Sequence, residues 1–200
     1  MLVDLNITEF AERVASDKPT MPAGGCVTAL TGLMGISLME MSLKVSSLKP
    51  ADQALELTDL QKTLQQIHQR MVSYIDKDAE AFNKVIAALK LQKNFNENDQ
   101  AYDTDKKSAM LDAIEVPLTI SKDCLLALEC SRQIIKMIKP SVEGDLKVGI
   151  LTTKASADGA LLTAKINVSM LNNKDKVNEL LTQVGVMQRK LDKIVSGIVL

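Results

Sequence analysis

Residues Cys26 to Met39 form a run of 14 residues without a charge, and a Pro-Ala-Gly-Gly tetrapeptide stands directly before it. A helix that is apolar all round has to be buried, so this run commits the rest of the chain to surrounding it. Thr28, Gly32 and Gly35 fall at helical spacing on one side, where small residues let another backbone approach closely. Leu30, Met34, Leu38 and Met41 cover another side. Glu40 interrupts the run before it is long enough to span a bilayer. In front of it, proline fixes φ and glycine permits φ > 0. Pro22-Ala23-Gly24-Gly25 is therefore expected to be a tight turn, with Pro19 to Gly25 as loop and Cys26 to Ser47 as buried helix. Unpaired N–H groups of the turn and of the first helical turn would converge there, which makes a ready anion or carbonyl site. A core helix behind a structural turn accounts for the same residues.

The longest periodic segment, Ala51 to Leu91, carries one seam: Leu57, Leu60, Leu64, Ile67, Met71, Tyr74, Asp78, Ala81, Val85 and Ala88 alternate spacings of three and four. Nine of these are apolar or aromatic and one is not. Asp78, with Ile75 and Phe82 on its flanks, sits where an apolar residue is called for. A carboxylate there costs several kcal/mol of desolvation unless it is paired, hydrogen-bonded or protonated. It reads either as a buried structural acid or as a general acid/base with a raised pKa in a cleft. His68 lies beside the seam, on the flank facing water.

Other segments extend the helical pattern. Ile7 to Ser16 reads as a helix capped by Thr8, with Phe10, Val14 and Ala11 inward. Gln92 to Tyr102 is Asn-rich and reads as a loop. A helix from about Thr104 to Lys139 contains Pro117, where a kink is expected, and buries Met110 or Leu111, Ile114, Leu118, Leu125, Leu128, Ile135 and Ile138. Asp145 is placed as N-cap of a helix reaching about Asn172, with Ala155, Gly159, Leu162 and Ile166 as its inner stripe. A last amphipathic helix follows the Asn173 to Lys176 turn. Alternating Val/Ile/Tyr runs bounded by turns are absent, which argues against sheets. The expectation is one all-α domain over 1–200: an antiparallel bundle of five to six helices around a buried central helix, dimeric because several helices carry too many apolar faces for a lone bundle.

A net charge of −1 gives no reason to expect nucleic acid or an anionic membrane as partner. The start lacks a cationic segment before an apolar run, so it does not read as a signal peptide. Cys26, Cys124 and Cys130, with a single His, provide neither a metal site nor a disulfide framework, and point to a reducing cytoplasm.

Five segments, in order, resemble one family. FAERVASDKPTMPAGGCVTALTGLMG is similar to a T-P-G-G-G-S-x-x-A-L-x-G-A-L-G opening, and DKDAEAFNKVIAALKL to D-x-x-A-F-N-x-V-x-x-A. AIEVPL is similar to A-x-x-V-P-L. Gly144-Asp145 and then Gly159-Ala160 with Lys165-Ile166-Asn167 resemble S-D…G-A-x-x-N-V-x-I-N. Together they resemble the formiminotetrahydrofolate cyclodeaminase family, which includes stand-alone methenyltetrahydrofolate cyclohydrolases. The resemblance implies an all-helical, dimeric folate enzyme without metal or bound cofactor, its tetrahydrofolate derivative being the substrate. It implies catalytic roles for Asp78 and Asp145, and substrate contacts at Pro22, Gly24, Gly25, Cys26, Phe82, Lys165 and Asn167, with Lys165 toward the glutamate tail. Three readings stay open: closure of 5-formiminotetrahydrofolate to the 5,10-methenyl form with release of ammonia, hydrolysis of that bridge to 10-formyltetrahydrofolate, and a non-catalytic folate-binding or scaffold homologue. Departures from the pattern bear on the third. Ala23 stands for the first Gly, Cys26 for the Ser and Thr163 for an Asn. SSLKPADQ and KPSVEGD replace a Gly-Lys-Lys and a Gly-Asn.

Overall fold

Four long helices close into an up-and-down ring in the computed structural model, which describes residues 1–18, 21–46, 54–91 and 100–198. They are α2 (Gly24–Ser46), α3 (Ala54–Leu91), α4 (Gln100–Ile134) and α5 (Glu143–Val168); α1 (Ile7–Ala15) precedes them and α6 (Lys174–Ser196) follows. No strand occurs among the described residues. Side-chain ties set the directions. Cys26 meets Asp78 while Ser37 meets His68, so α2 and α3 are antiparallel. Arg70 meets Asp123 while Lys84 meets Asp112, so α3 and α4 are antiparallel. Asn167 meets Ala113 while Cys124 meets Ser156, so α4 and α5 are as well. Alternate helices with short connections make the ring the natural topology. Helix α6 lies over α4 and α5.

All ten seam residues of α3 are buried, from Leu57 to Ala88, Asp78 among them. The seam faces α2 and α4, and a half-buried clamp fixes its middle: Arg70 donates to both oxygens of Asp123 at 2.8 and 2.7 Å, and Tyr74 Oη donates to Oδ2 at 3.0 Å. His68 is half-buried rather than on the water side, its Nδ1 3.4 Å from the buried Glu40.

Helix α2 begins at Gly24 and runs past Glu40 to Ser46, with Lys44 Nζ, one turn on, pairing with Glu40 at 3.2 Å. Its 23 residues are long and apolar enough to cross a membrane by length alone, yet about half are buried against α3, α4 and α5. Burial is one-sided, since Met34 and Val45 on the outer side are exposed. The small stripe meets α5 of the same chain. A Cβ on Gly35 would lie 2.8 Å from Gly149 O, one on Gly149 2.8 Å from Gly35 O, and one on Gly32 2.7 Å from Ser156 Oγ. Backbone touches backbone here, an approach that only glycine permits.

Several local expectations are corrected. Asn6, not Thr8, caps α1, its Oδ1 accepting from Glu9 N–H at 2.9 Å; Val14 and Ala11 are exposed. Helix α4 starts at Gln100 and ends at Ile134, where a 3₁₀ turn at Pro140–Val142 leads on. Val142 is the N-cap of α5, without a side-chain bond, and Asp145 sits exposed within the first turn. The buried side of α5 includes Leu146, Gly149, Ile150, Thr153, Ser156, Ala160, Leu161 and Ala164, and Gly159 faces Thr28 of α2 as expected, while Ala155, Leu162 and Ile166 are exposed to solvent or to a cavity at the start of α2. Toward α2 this helix presents small residues, Gly149, Thr153, Ser156 and Gly159, because α2 comes so close, while the large Leu146, Ile150, Leu161 and Val168 are buried as well. The parts of the expected loops at Pro19, Thr20, 47–53 and 92–99 lie outside the described residues.

Gly35→Ala is expected to lower stability by about 1–3 kcal/mol through overpacking against Gly149. Gly144→Ala, with nothing within 4 Å, is the matched control and should melt like the parent. Equal melting temperatures for the two variants would refute the backbone contact.

Candidate functional site

The start of α2 is the point where the chain's informative residues meet. Val27 N–H donates to Ala23 O at 3.0 Å, so Ala23 is the N-cap and Gly24, Gly25 and Cys26 form the first turn. The Gly-Gly pair is helical and no described glycine has positive φ, which corrects the expected tight turn. Pro22, buried, joins Met21 through a cis bond. Gly25 is required for a different reason. A Cβ there would fall inside the carboxylate of Asp78, which packs directly on the helix backbone.

Asp78 is 9% exposed and caps α2 from a neighbouring helix. Cys26 Sγ–H donates to its Oδ2 at 3.3 Å, and the Cys26 amide donates as well. An unpaired helical N–H and the positive end of the α2 dipole are thereby met by an acid from α3. Burial pushes the Asp78 pKa up from 3.8, against the pull of the Cys26 thiol and amide. No cation pairs with Asp78 among the described residues. The structural reading of a buried seam acid is met in the form of a bond to a neighbouring backbone, the Cys26 amide, and the acid/base reading stays open beside it. Burial first, and the Asp78 charge second, push the Cys26 thiol up to about 12, so it remains a neutral donor.

A cavity of about 280 Å³ opens onto this carboxylate. Met21, Ala23, Gly24, Gly25 and Asp78 form its floor. Phe82 and Val85 of α3, Met110 and Ala113 of α4, and Thr163, Ile166, Asn167 and Met170 at the end of α5 form its walls. The wall between α4 and α5 is pinned by Asn167, whose Nδ2 donates to Ala113 O at 2.7 Å. That carbonyl is the one Pro117 leaves without its helical donor, since residue i of a helix bonds the carbonyl of i−4 and proline has no N–H. A second cavity of about 370 Å³ shares Met110 and Met170 with the first and is lined by Lys106, Lys107 and Lys176. A larger, more open groove of about 480 Å³ between α4 and α6 meets none of the sequence-derived site residues.

Gly24, Gly25, Asp78, Phe82 and Asn167 thus line one cavity, with Cys26 buried behind Asp78. Lys165 is exposed and outside the lining. Asp145 is not brought to the site within one chain. Thr163 of the same helix stands at the cavity, and from Asp145 to Thr163 a helix rises about 27 Å at roughly 1.5 Å per residue. Asp78 and Asp145 therefore do not converge within one chain. Ala113, Met110, Met170 and the three lysines escaped the sequence reading. Pro117 was the available signal for Ala113, because an interior proline always frees the carbonyl four residues earlier.

Two outcomes test this geometry. Gly25→Ala should displace the Asp78 carboxylate and cost about 1–3 kcal/mol, whereas Gly24→Ala, whose Cβ would meet only Thr163 Oγ1 at 3.9 Å, should not destabilise. Similar losses for both would contradict the packing described. For pH, a raised folded pKa means that the fold binds the Asp78 proton more tightly than the unfolded chain does. Stability then falls as pH rises from 3.8 through the folded pKa. Asp78→Asn should melt at the parent temperature below that window and at or above it at neutral pH. A variant that melts well below the parent at neutral pH would show that the ionised carboxylate stabilises the fold.

The family model for formiminotransferase-cyclodeaminase matches residues 6–185. A methenyltetrahydrofolate cyclohydrolase from Methylorubrum extorquens is 25% identical over 96% of this chain and 96% of its own length. The formimidoyltransferase-cyclodeaminase of Gallus gallus is 23% identical over 86% of this chain, which spans about a third (33%) of that longer protein. Among solved structures, formiminotetrahydrofolate cyclodeaminase from Thermotoga maritima superposes with a TM-score of 0.86 at 18% identity, over 98% of this chain and 95% of that one.

Proposed function

The chain belongs to the formiminotransferase-cyclodeaminase family, and on that footing we propose that it closes 5-formiminotetrahydrofolate to 5,10-methenyltetrahydrofolate with release of ammonia. The observation that carries this reading is a buried carboxyl without a cation partner among the described residues, at the floor of a largely apolar cavity, its pKa raised by burial. Ring closure needs a group that both takes and returns one proton. As N10 attacks the formiminium carbon, the Asp78 carboxylate accepts the N10 proton. The C–NH₂ bond of the tetrahedral adduct then breaks, Asp78 returns the proton to the departing nitrogen, and the methenyl cation and ammonia remain. A carboxyl matched in this way serves both steps. The reaction as written calls for no metal or cofactor.

The cavity lies just below the roughly 300–1,000 Å³ of sites that enclose a drug-sized ligand, so it suits one end of a folate. The reduced ring and its one-carbon unit would occupy it, beside Phe82. The benzoyl-glutamate arm would pass Met110 and Met170 toward Lys106, Lys107 and Lys176, which serve as point charges for carboxylates. This gives those lysines, rather than Lys165, the tail.

Hydrolysis of the methenyl bridge is the second reading. It is favoured by end-to-end likeness to a cyclohydrolase, and it would use Asp78 as base toward a water at the same carbon. We also infer self-association, supported by exposed Met34 and Val45 on α2 and exposed Val148, Leu151 and Leu162 on α5.

Incubation with formimino- and methenyl-tetrahydrofolate separately, followed by methenyl absorbance, decides among the readings. A gain with the first marks the cyclodeaminase, a loss with the second the cyclohydrolase, and no change with either a binding homologue. Asp78→Asn should lower turnover about 10²-fold or more; parental turnover on both folates would end the catalytic role of Asp78.

A further inference from the structure

Pro117 stands inside α4, where a proline breaks one backbone bond and crowds the carbonyl of Ala113. The fold does not repair this within the helix. It repairs it from α5, through the carboxamide of Asn167. A carbonyl oxygen only accepts, so the end of the amide that faces Ala113 has to be the NH₂ group. The orientation of this side chain is therefore set by chemistry. Asn167 Oδ1 has no other partner among the described residues, and Asn167 lines the cavity. With one Nδ2 hydrogen committed to the wall, the amide is held so that its Oδ1 end is offered to a ligand as an acceptor.

We infer that Pro117 is a positioning residue: by leaving Ala113 O without a helical donor it holds the Asn167 carboxamide in one orientation, so that the cavity presents a fixed acceptor to an N–H of the ligand. This rests on the folate reading for the identity of that N–H, which belongs to the reduced ring or its bridge. An alanine at 117 restores the backbone donor to Ala113 O. The amide of Asn167 is then free to turn, and the cavity loses its fixed polarity. Asn167→Ala removes the acceptor and orphans the carbonyl, but only while proline occupies 117.

The test is a double-mutant cycle on the full chain, read by melting temperature and by steady-state kinetics with formimino- and methenyl-tetrahydrofolate. Pro117→Ala should melt at or above the parent temperature, yet raise KM about 10-fold with kcat changed much less, the scale of one misplaced hydrogen bond. A residue that only shaped the fold would not separate KM from stability in this direction. Asn167→Ala should lower the melting temperature in the parent and leave it unchanged in Pro117→Ala. Equal losses in both backgrounds, or an unchanged KM in Pro117→Ala, would overturn the inference. A protein inert toward both folates would end the functional reading, and the melting-temperature cycle would still decide this one.

Discussion

One contact organises the molecule: the carboxylate of Asp78 resting on the first turn of α2 in the space left by Gly25. It joins the longest helix to the most apolar one at a point where neither could close alone. Helix α2 starts without a capping side chain of its own, and α3 carries an acid where its seam calls for an apolar residue. Each deficiency answers the other. The arrangement tolerates a buried acid because the Cys26 amide and thiol stand in for water. The same features move its pKa upward and leave it uncompensated by any described cation.

A second constraint runs along the bundle. The contact of Gly35 with Gly149 draws α2 and α5 together until backbones touch. It brings the end of α5, with Thr163 and Asn167, up to the start of α2. The cavity follows from two close approaches on adjacent sides of α2. The apolar surface that α5 cannot turn inward is left on the outside of the ring.

Much of this was legible in the residues. The α3 seam was readable to its last member because its period is strict and only one side is apolar, so the misplaced Asp78 stood out. The α5 inner side was not readable, because its contact with α2 is made by small residues while the larger Leu151 and Leu162 are left exposed, so hydrophobicity does not mark the face. Leu162 looks like core until one knows how near α2 comes, and Ile166 turns to the cavity instead. The Gly-Gly pair looked like a turn because glycine permits φ > 0, while here it serves proximity. Asp145 illustrates a further limit. A motif at the start of a long helix and another at its end belong to one pattern in sequence, but a rigid rod keeps them at opposite ends of the bundle.

Cys26 closes the account in kinetic terms. Its sulfur is fully buried, hydrogen-bonded to Asp78 and held as the neutral thiol. A thiol in that state is inert to alkylation until the first turn of α2 parts from α3. The rate at which a thiol reagent consumes Cys26 would accordingly measure how often that junction opens, and slowing by a ligand seated on Asp78 would report occupancy without any chemistry taking place.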